Sequence, residues 1–560
     1  VVDGVLRQYA WYGSCPVWSS DNAARGPGVA RFNGGGHPLT VIANVKPATA
    51  GWTPAKQLIE HVFLLMLENR SFDHMLGFSG LTGKDAETGR PTSVNGLLDG
   101  DWSNSYGGTT YPASKPADWV MPIDPGHEFT DVVVQLSGPN AKYPPKGPYP
   151  PIDDSGFVAD YVTNGGLSPG EIMKCYAPEQ LPVLMALARE FAVCDNWYCS
   201  MPGPTWPNRF FSLAATSGGL DHSPTISEIA SWAVTGAAFR RGTIFDLIGT
   251  AKGAAGWRIY AGDLFPMSAF LRGVPYWQIR DYDKRFAADL ASGDYPWAFT
   301  LIEPNYGDVL KNTYVGGTSQ HPMDDVTRGE RLIKTTYEAI RNSSVWNSSL
   351  LIVAWDEHGG FYDHTTPGTA PIPGDTKPGS SYNQYGFVFD QYGVRVPAVI
   401  ASPLIPRNLI DHRLYDHTSV PATVERVFGL PPLTGRDKVA GSVARLATRT
   451  TPRTDCRKTL PDPAKSGQPD PRALAFEAGL QPLTEEEAPA DVGNLPGILG
   501  VALRRDLAVD PEHQAETLAR FRQIKTRGQA RQYVDSVLTK NAVAMRAADP
   551  ALPPGGSDGG

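Results

Sequence analysis

The alternation of apolar strand-like runs with helical segments from about residue 57 to 440 predicts an α/β fold. The expected architecture is doubly wound, with a mostly parallel sheet sandwiched by helices. Two runs carry the prediction. Val62 to Leu67 and Leu350 to Trp355 are continuously apolar, without the alternation of a half-exposed strand. Both then stop abruptly in polar residues: Glu68, Asn69 and Arg70 after the first, Asp356, Glu357 and His358 after the second. Ligands of open α/β sheets bind beyond the carboxyl ends of the strands, so these polar residues sit where chemistry is expected.

The elements follow in order. Residues 1–56 form an N-terminal extension rich in Gly, Trp and Pro, in which Leu39 to Val45 reads as one strand. After the opening strand, 78–175 reads as mostly loop, with "SGPNAKYPPKGPYPPIDD" as a Pro-rich excursion. Glu179 to Glu190 reads as a helix feeding a short strand, and Trp297 to Asn305 as another strand with a polar end. "GERLIKTTYEAIRNS" is helical and precedes the Leu350 strand; Arg395 to Pro403 is a further strand. "SVPATVERVFGL" is a helix expected to stop at Gly429. Residues 57–440 are therefore read as the catalytic domain, and 441–560 as a linker plus a helical C-terminal region. In that region Leu518, Phe521, Ile524, Ala530, Tyr533, Val534, Val537 and Leu538 recur at helical spacing, a packing stripe. The final "PPGGSDGG" has a disordered composition, and no internal repeat is present.

Bulk composition narrows the function. A net charge of −8 without a dense Lys/Arg run argues against a nucleic-acid partner. No apolar segment reaches ~18 residues, so no transmembrane span is expected. With 58 Gly, 50 Pro, 13 Trp and 22 Tyr, long aromatic-rich ordered loops are expected. Five Cys are too few and too scattered for a disulfide scaffold; Cys194 and Cys199 are near enough in sequence to pair in an oxidising compartment. The chain starts without Met and without a signal-peptide pattern, so a mature or trimmed form is expected.

The site chemistry starts from cost. Two buried strands delivering carboxylates to one sheet edge is unfavourable unless the charges are compensated. Glu68, Asn69, Asp356 and Glu357 make a hard, oxygen-rich set that suits Ca, Mg or Mn. Gly359 and Gly360 permit a tight turn and close approach of backbone to a ligand. In "SMPGPTWPNRFFSLAATSGG", Thr205 lies near the start of a helix that Gly218-Gly219 would stop. Backbone N–H groups there favour a phosphate. Arg209 lies one turn on and would hold phosphoryl oxygens bidentately. A cation would activate the weakly nucleophilic Thr205 hydroxyl; an ordinary helix cap is the plainer alternative.

"LMLENRSFDH", "SMPGPTWPNR", "LIEPNYGD", "HPMDDVTRGE" and "WDEHGGFYDH", in this order, resemble the bacterial phosphoesterase family of secreted phospholipases C and acid phosphatases, within the alkaline phosphatase superfamily. The resemblance spans about residues 57 to 435 and implies an alkaline-phosphatase-like fold. It implies one divalent metal (Ca, Mg, Mn or Zn) surrounded by Glu68, Asn69, Thr205, Asp356 and Glu357, with Thr205 as nucleophile. It also implies that His127 and His321 line the phosphate site. "TWPNR" is similar to the sulfatase pattern Cys-x-Pro-x-Arg, but Thr cannot become the aldehyde a sulfatase needs, which favours phosphoryl transfer. Asp324 is expected to orient His321, His358 and His417 to support the site, and Asp73 and His74 to brace the first loop. Glu357 stands where acid phosphatase relatives carry Asp, and the tail is unlike the C-terminal β-domains of haemolytic phospholipases.

The expected function is a secreted or periplasmic phosphoric-ester hydrolase of phospholipase C type, acting on phosphate esters including phospholipid at a membrane surface. The alternatives are a broad acid phosphatase and a non-catalytic phosphate-ester binding protein. The second loses weight because every nucleophile and metal residue is present. Tyr276 and Trp277 are candidates to box a choline-like cation, or to serve as surface packing.

Overall fold

The computed structural model describes residues 58–253, 256–375, 382–467 and 487–548. The strand expected at Leu39 to Val45 and the "PPGGSDGG" terminus lie outside the described residues.

His61–Leu67 and Ser349–Trp355 are buried along their whole length, as their uninterrupted apolar sequences require. They lie side by side, parallel, in a ten-stranded sheet. Across that sheet the strands run Pro91–Ser93, Thr82–Asp85, Leu409–Asp411, Ala192–Cys194, Ala398–Ala401, Ser349–Trp355, His61–Leu67, Phe299–Glu303, Trp257–Ala261 and Ile279–Asp281. Only Pro91–Ser93 and Ala398–Ala401 run against the rest. The fold is thus the mostly parallel α/β sheet read from sequence.

Register places the site. Leu67 pairs with Trp355, so the residues that follow each strand, Glu68 and Asp356, emerge side by side. On the other flank Leu65 pairs with Ile302, which brings the end of Phe299–Glu303 to the same edge.

Several boundaries shift for local reasons. The segment from 78 to 175 holds more order than its loop-like composition indicates: two short hairpins and the helices Phe129–Ser137 and Phe157–Thr163. Phe129–Ser137 is entered at Glu128, whose N–H donates to Asp131 Oδ2 at 2.9 Å. The helix read as Glu179 to Glu190 is a short 3₁₀ turn followed by Pro182–Glu190, because Pro182 takes a first-turn position. The "GERL" helix starts earlier, at Val326, where the Asp325 side chain caps it. Thr205–Ala214 ends before the glycine pair, with Ala215 in the left-handed region (φ 58°). Gly429 ends Ser419–Phe428 as expected, at φ 72°. Cys194 and Cys199 are buried free thiols rather than a disulfide.

The C-terminal stripe is packing. Phe521, Ile524, Ala530, Tyr533, Val534 and Val537 are buried in the same hydrophobic core as the central strands. A helix not anticipated from sequence, Leu495–Val509, joins that core through Leu495, Leu499 and Leu503. Its approach is close: a Cβ on Gly497 would lie 1.9 Å from the Trp206 ring, and only glycine leaves room. Among the described residues no helix is long and apolar enough to cross a membrane.

Candidate active site

The turn after His61–Leu67 is tied down on three sides. The Glu68 N–H donates to the Ser319 carbonyl (2.8 Å), and the Arg70 N–H to the Glu357 carbonyl (2.9 Å). Asn69 sits at φ 58°, a conformation Asn tolerates better than most residues, and its N–H donates to Asp356 Oδ1 at 3.1 Å. The buried Arg70 guanidinium donates to the carbonyls of Gln320 (2.7 Å) and His321 (3.2 Å). Three loops are thereby locked against one another at the sheet edge.

Thr205 is the first residue of Thr205–Ala214, so its hydroxyl is not an ordinary cap; Pro204 holds the cap position. The preceding turn is clamped by Asn208. Its amide accepts from the Met201 N–H (3.2 Å) and donates to the carbonyls of Gly203 (2.9 Å) and Pro204 (3.1 Å).

A cation can be tested against the oxygens present. Glu68 Oε2, Asn69 Oδ1, Thr205 Oγ1 and Glu357 Oε1 are all buried with no hydrogen-bond partner. Four of the five residues expected around the metal thus carry a buried oxygen that no protein group satisfies. The fifth, Asp356, is the organiser of the cluster. Its Oδ1 accepts from the N–H groups of Asn69 (3.1 Å) and Glu357 (2.7 Å), and its Oδ2 from Arg209 Nε (2.8 Å). A carboxylate has about four lone-pair sites, so Asp356 retains capacity for a ligand. By its chemistry the set is all oxygen and suits a hard divalent ion. Among the described residues, three His, Cys, Asp or Glu side chains bring ligating atoms within 4.8 Å of one another at Asp73, Asp363 and His364, not at Glu68, Asp356 and Glu357.

The electrostatics point the same way. Burial pushes the Glu68 carboxyl up to about 8, against the pull of Arg209, and burial holds Glu357 well above the usual carboxylate range. Burial alone would depress His127, but the carboxylates of Glu357, Asp124 and Glu128 push it up to about 10. Burial lowers His321. Two histidines at one site are driven in opposite directions.

Several expected roles change hands. Arg209, read as a bidentate phosphate grip, spends its fork inside the protein: Nε on Asp356, Nη2 on the Leu67 carbonyl (3.1 Å) and Nη1 toward the Met66 carbonyl (3.4 Å). It fixes the acidic cluster. Asp324 meets His321 only through its backbone N–H (2.9 Å to the carbonyl); the carboxylate facing the ring is Asp124, 3.5 Å from His321 Nε2. Tyr314 stacks on the other side of the ring, centroids 3.3 Å apart. His127 Nδ1–H donates to the Pro125 carbonyl (2.8 Å), and Nε2 lies 3.5 Å from Asn69 Nδ2. The space beside Gly359 and Gly360 is filled by protein rather than ligand. A Cβ there would lie 2.2 Å from the Asn69 carbonyl oxygen and 2.6 Å from that of Gly126.

His358 and His417, expected to support the site, are both buried and hydrogen-bonded. Burial lowers His358 to about 3, and Nε2–H donates to Gln135 Oε1 at 2.7 Å. Burial likewise lowers His417 to about 4; Trp197 donates to its Nδ1 (3.2 Å) and its Nε2–H donates to the Asp356 carbonyl. Asp73 and His74 brace the first loop as expected. Asp73 pairs with Arg395 (3.1 Å) and His364 (2.6 Å), and His74 stacks on Phe361 (3.6 Å). Ligating atoms of Asp73, Asp363 and His364 lie within 4.8 Å of one another, but the Arg395 guanidinium, 2.8 Å from Asp363, already compensates them. Tyr276 is engaged at the surface: its hydroxyl donates to the Leu264 carbonyl (3.1 Å), and the Arg505 guanidinium lies 4.5 Å from its ring centre.

Asp124, Asn208 and Asn494 were not singled out from sequence. Asp124 stands three residues before His127, and Asn208 within "TWPNR"; both spacings were visible. Asn494 donates to Glu68 Oε1 (3.2 Å) from 426 positions away, with no local signal.

Residues 59–431 match the Phosphoesterase family model. The chain is 36% identical over 442 residues to non-specific phospholipase C6 of Arabidopsis thaliana, covering 76% of this chain and 79% of that protein. It is 27% identical over 453 residues to phospholipase C A of Mycobacterium tuberculosis, covering 73% and 81%. A solved alkaline phosphatase superfamily protein from Vibrio parahaemolyticus aligns at 20% identity over 46% of this chain and 63% of that one, with a TM-score of 0.29. With its motifs on one sheet edge and the family match over most of its length, this chain belongs to the Phosphoesterase family and is a phosphoric-ester hydrolase.

Proposed function

We propose that the enzyme cleaves phosphodiesters in the manner of a phospholipase C, through a phospho-threonine intermediate on Thr205. The observation that carries this reading is the Thr205 hydroxyl. It is buried at a helix start, has no hydrogen-bond partner, and belongs with three orphaned oxygens of Glu68, Asn69 and Glu357. The names of the two relatives given above, both phospholipases C, support the substrate class.

Glu68, Asn69, Thr205, Asp356 and Glu357 would hold one divalent cation, which when bound supplies charge neutralisation and a more acidic Thr205 hydroxyl. Thr205 Oγ1 attacks phosphorus in line, the bond from phosphorus to the diacylglycerol oxygen breaks, and that alcohol leaves with a proton. Water then attacks the phospho-threonine, releasing the phosphorylated headgroup and restoring the hydroxyl. His127 and His321 are the candidates for holding phosphoryl oxygens and for protonating the leaving alcohol. Arg209 acts through Asp356, keeping the acidic cluster in place.

The test is a paired substrate set: p-nitrophenyl phosphate, its phosphorylcholine diester and phosphatidylcholine vesicles, with and without Mn2+, Ca2+ or Mg2+. The diester and vesicles are expected to be preferred, and acid-quenched enzyme is expected to carry the phosphorylated headgroup, phosphorylcholine for these substrates, in ester linkage on Thr205. Preference for the monoester would replace the reading with that of an acid phosphatase.

A further inference from the structure

Asn494 is buried, 4% exposed, just ahead of the helix Leu495–Val509. Asn commonly caps a helix start, yet this side chain makes no cap bond. Its Nδ2 donates instead to Glu68 Oε1 at 3.2 Å. The other Glu68 oxygen, Oε2, is the one left without a partner. One oxygen is thus held and the other presented.

The placement of Asn494 is built, not incidental. The Asp491 carboxylate accepts the Ile226 N–H at 2.7 Å, just before the turn. Gly497 sits against the ring of Trp206, the residue after Thr205, and Arg504 donates to the carbonyls of Ala269 (2.7 Å) and Leu271 (2.8 Å). Farther along, Arg527 donates to the Leu310 carbonyl (3.2 Å) and to Asn312 Oδ1 (3.1 Å). Those residues lie in the loop that carries Tyr314 onto His321. The segment after 487 therefore touches both sides of the site.

We infer that Asn494 is a positioning residue for the metal site: it orients Glu68 so that Oε2 faces the cation, which makes the C-terminal region part of the active site. The inference rests on the proposed metal set. Groups that orient a metal-bound carboxylate commonly change metal affinity by 10–100-fold when removed. Asn494→Leu keeps the volume and removes the donor. Its Mn2+ dissociation constant, measured by calorimetry on the full chain, is expected to rise about tenfold. Its kcat should fall more than its KM changes, with partial recovery at saturating Mn2+. Asn494→Gln, which can still donate, is expected to restore much of the affinity. His513→Ala, at an exposed ion pair on the same region, should leave both unchanged. If Asn494→Leu does not fold, Asn494→Ser, which falls short of Glu68, carries the same expectation. Unaltered Mn2+ affinity in the Asn494 variants, while Glu68→Gln loses it, overturns the inference and leaves the metal reading intact. Full Mn2+ affinity in Glu68→Gln overturns both.

Discussion

Arg209 Nε donates to Asp356 Oδ2 at 2.8 Å, and both side chains are almost entirely buried. This contact joins the helix that starts at Thr205 to the strand end that carries Asp356 and Glu357.

Removing one partner of such a pair leaves the other charge stranded. Arg209→Met is therefore expected to destabilise the fold by about 3–5 kcal/mol, well beyond an ordinary surface change. Urea unfolding with a parallel activity assay checks it. A loss under 1 kcal/mol would mean that Asp356 is compensated by other groups.

Thr205→Ala should abolish turnover while leaving the melting temperature of the metal-free protein within a few degrees, because the hydroxyl has no hydrogen bond within the protein to lose. Thr205→Ser should retain measurable activity. Undiminished turnover in Thr205→Ala would sink the nucleophile assignment.

A cation that binds only the folded state stabilises it by about 2.7 kcal/mol at a hundred times its dissociation constant. Chelation is expected to lower the melting temperature and end activity together, and readdition to restore both. No change in either, after verified metal removal, would dismiss the metal from the site.

His417 links Trp197 to the backbone of Asp356. His417→Leu leaves a buried donor and a buried acceptor unpaired, each worth about 1–3 kcal/mol. The expected outcome is lower stability and a fall in kcat with little change in KM. An unchanged kcat would show that Asp356 keeps its place without this tie.

His222 gives a pH signature apart from the metal cluster. Burial lowers it, but contacts to Asp221 (3.1 Å) and Glu228 (3.0 Å) outweigh that and raise it to about 9. A histidine raised on folding contributes stability that is complete below about 6.5 and lost as pH rises through 9. The melting temperature should fall between those values, and less steeply in His222→Asn. Equal slopes for the two proteins would contradict the pairing.

The strand ends were legible because burial on both faces leaves an unmistakable apolar run, and a carboxylate directly after it has no packing reason to be there. The expected metal residues follow from that logic, and Glu68, Asn69 and Glu357 each carry a buried oxygen without a hydrogen-bond partner. What sequence hides is pairing across distance. Arg209 looks free until the fold sets Asp356 beside it, and Asp124 takes the place expected of Asp324 because a loop folds over His321. The helix Phe129–Ser137 was obscured by its proline-rich surroundings.

Asn494 and Glu68 are 426 positions apart. At a synthesis rate of about 5–20 residues per second, Glu68 leaves the ribosome roughly 20–85 s before its partner. Asp356 is made within that interval, and only over about its last third are both strand ends present while one Glu68 oxygen still lacks its Asn494 donor. Maturation of the site is thus timed by the last part of the chain to be made, and a chain cut short before Asn494 would keep both strand ends in sequence but lack the donor that holds Glu68 Oε1.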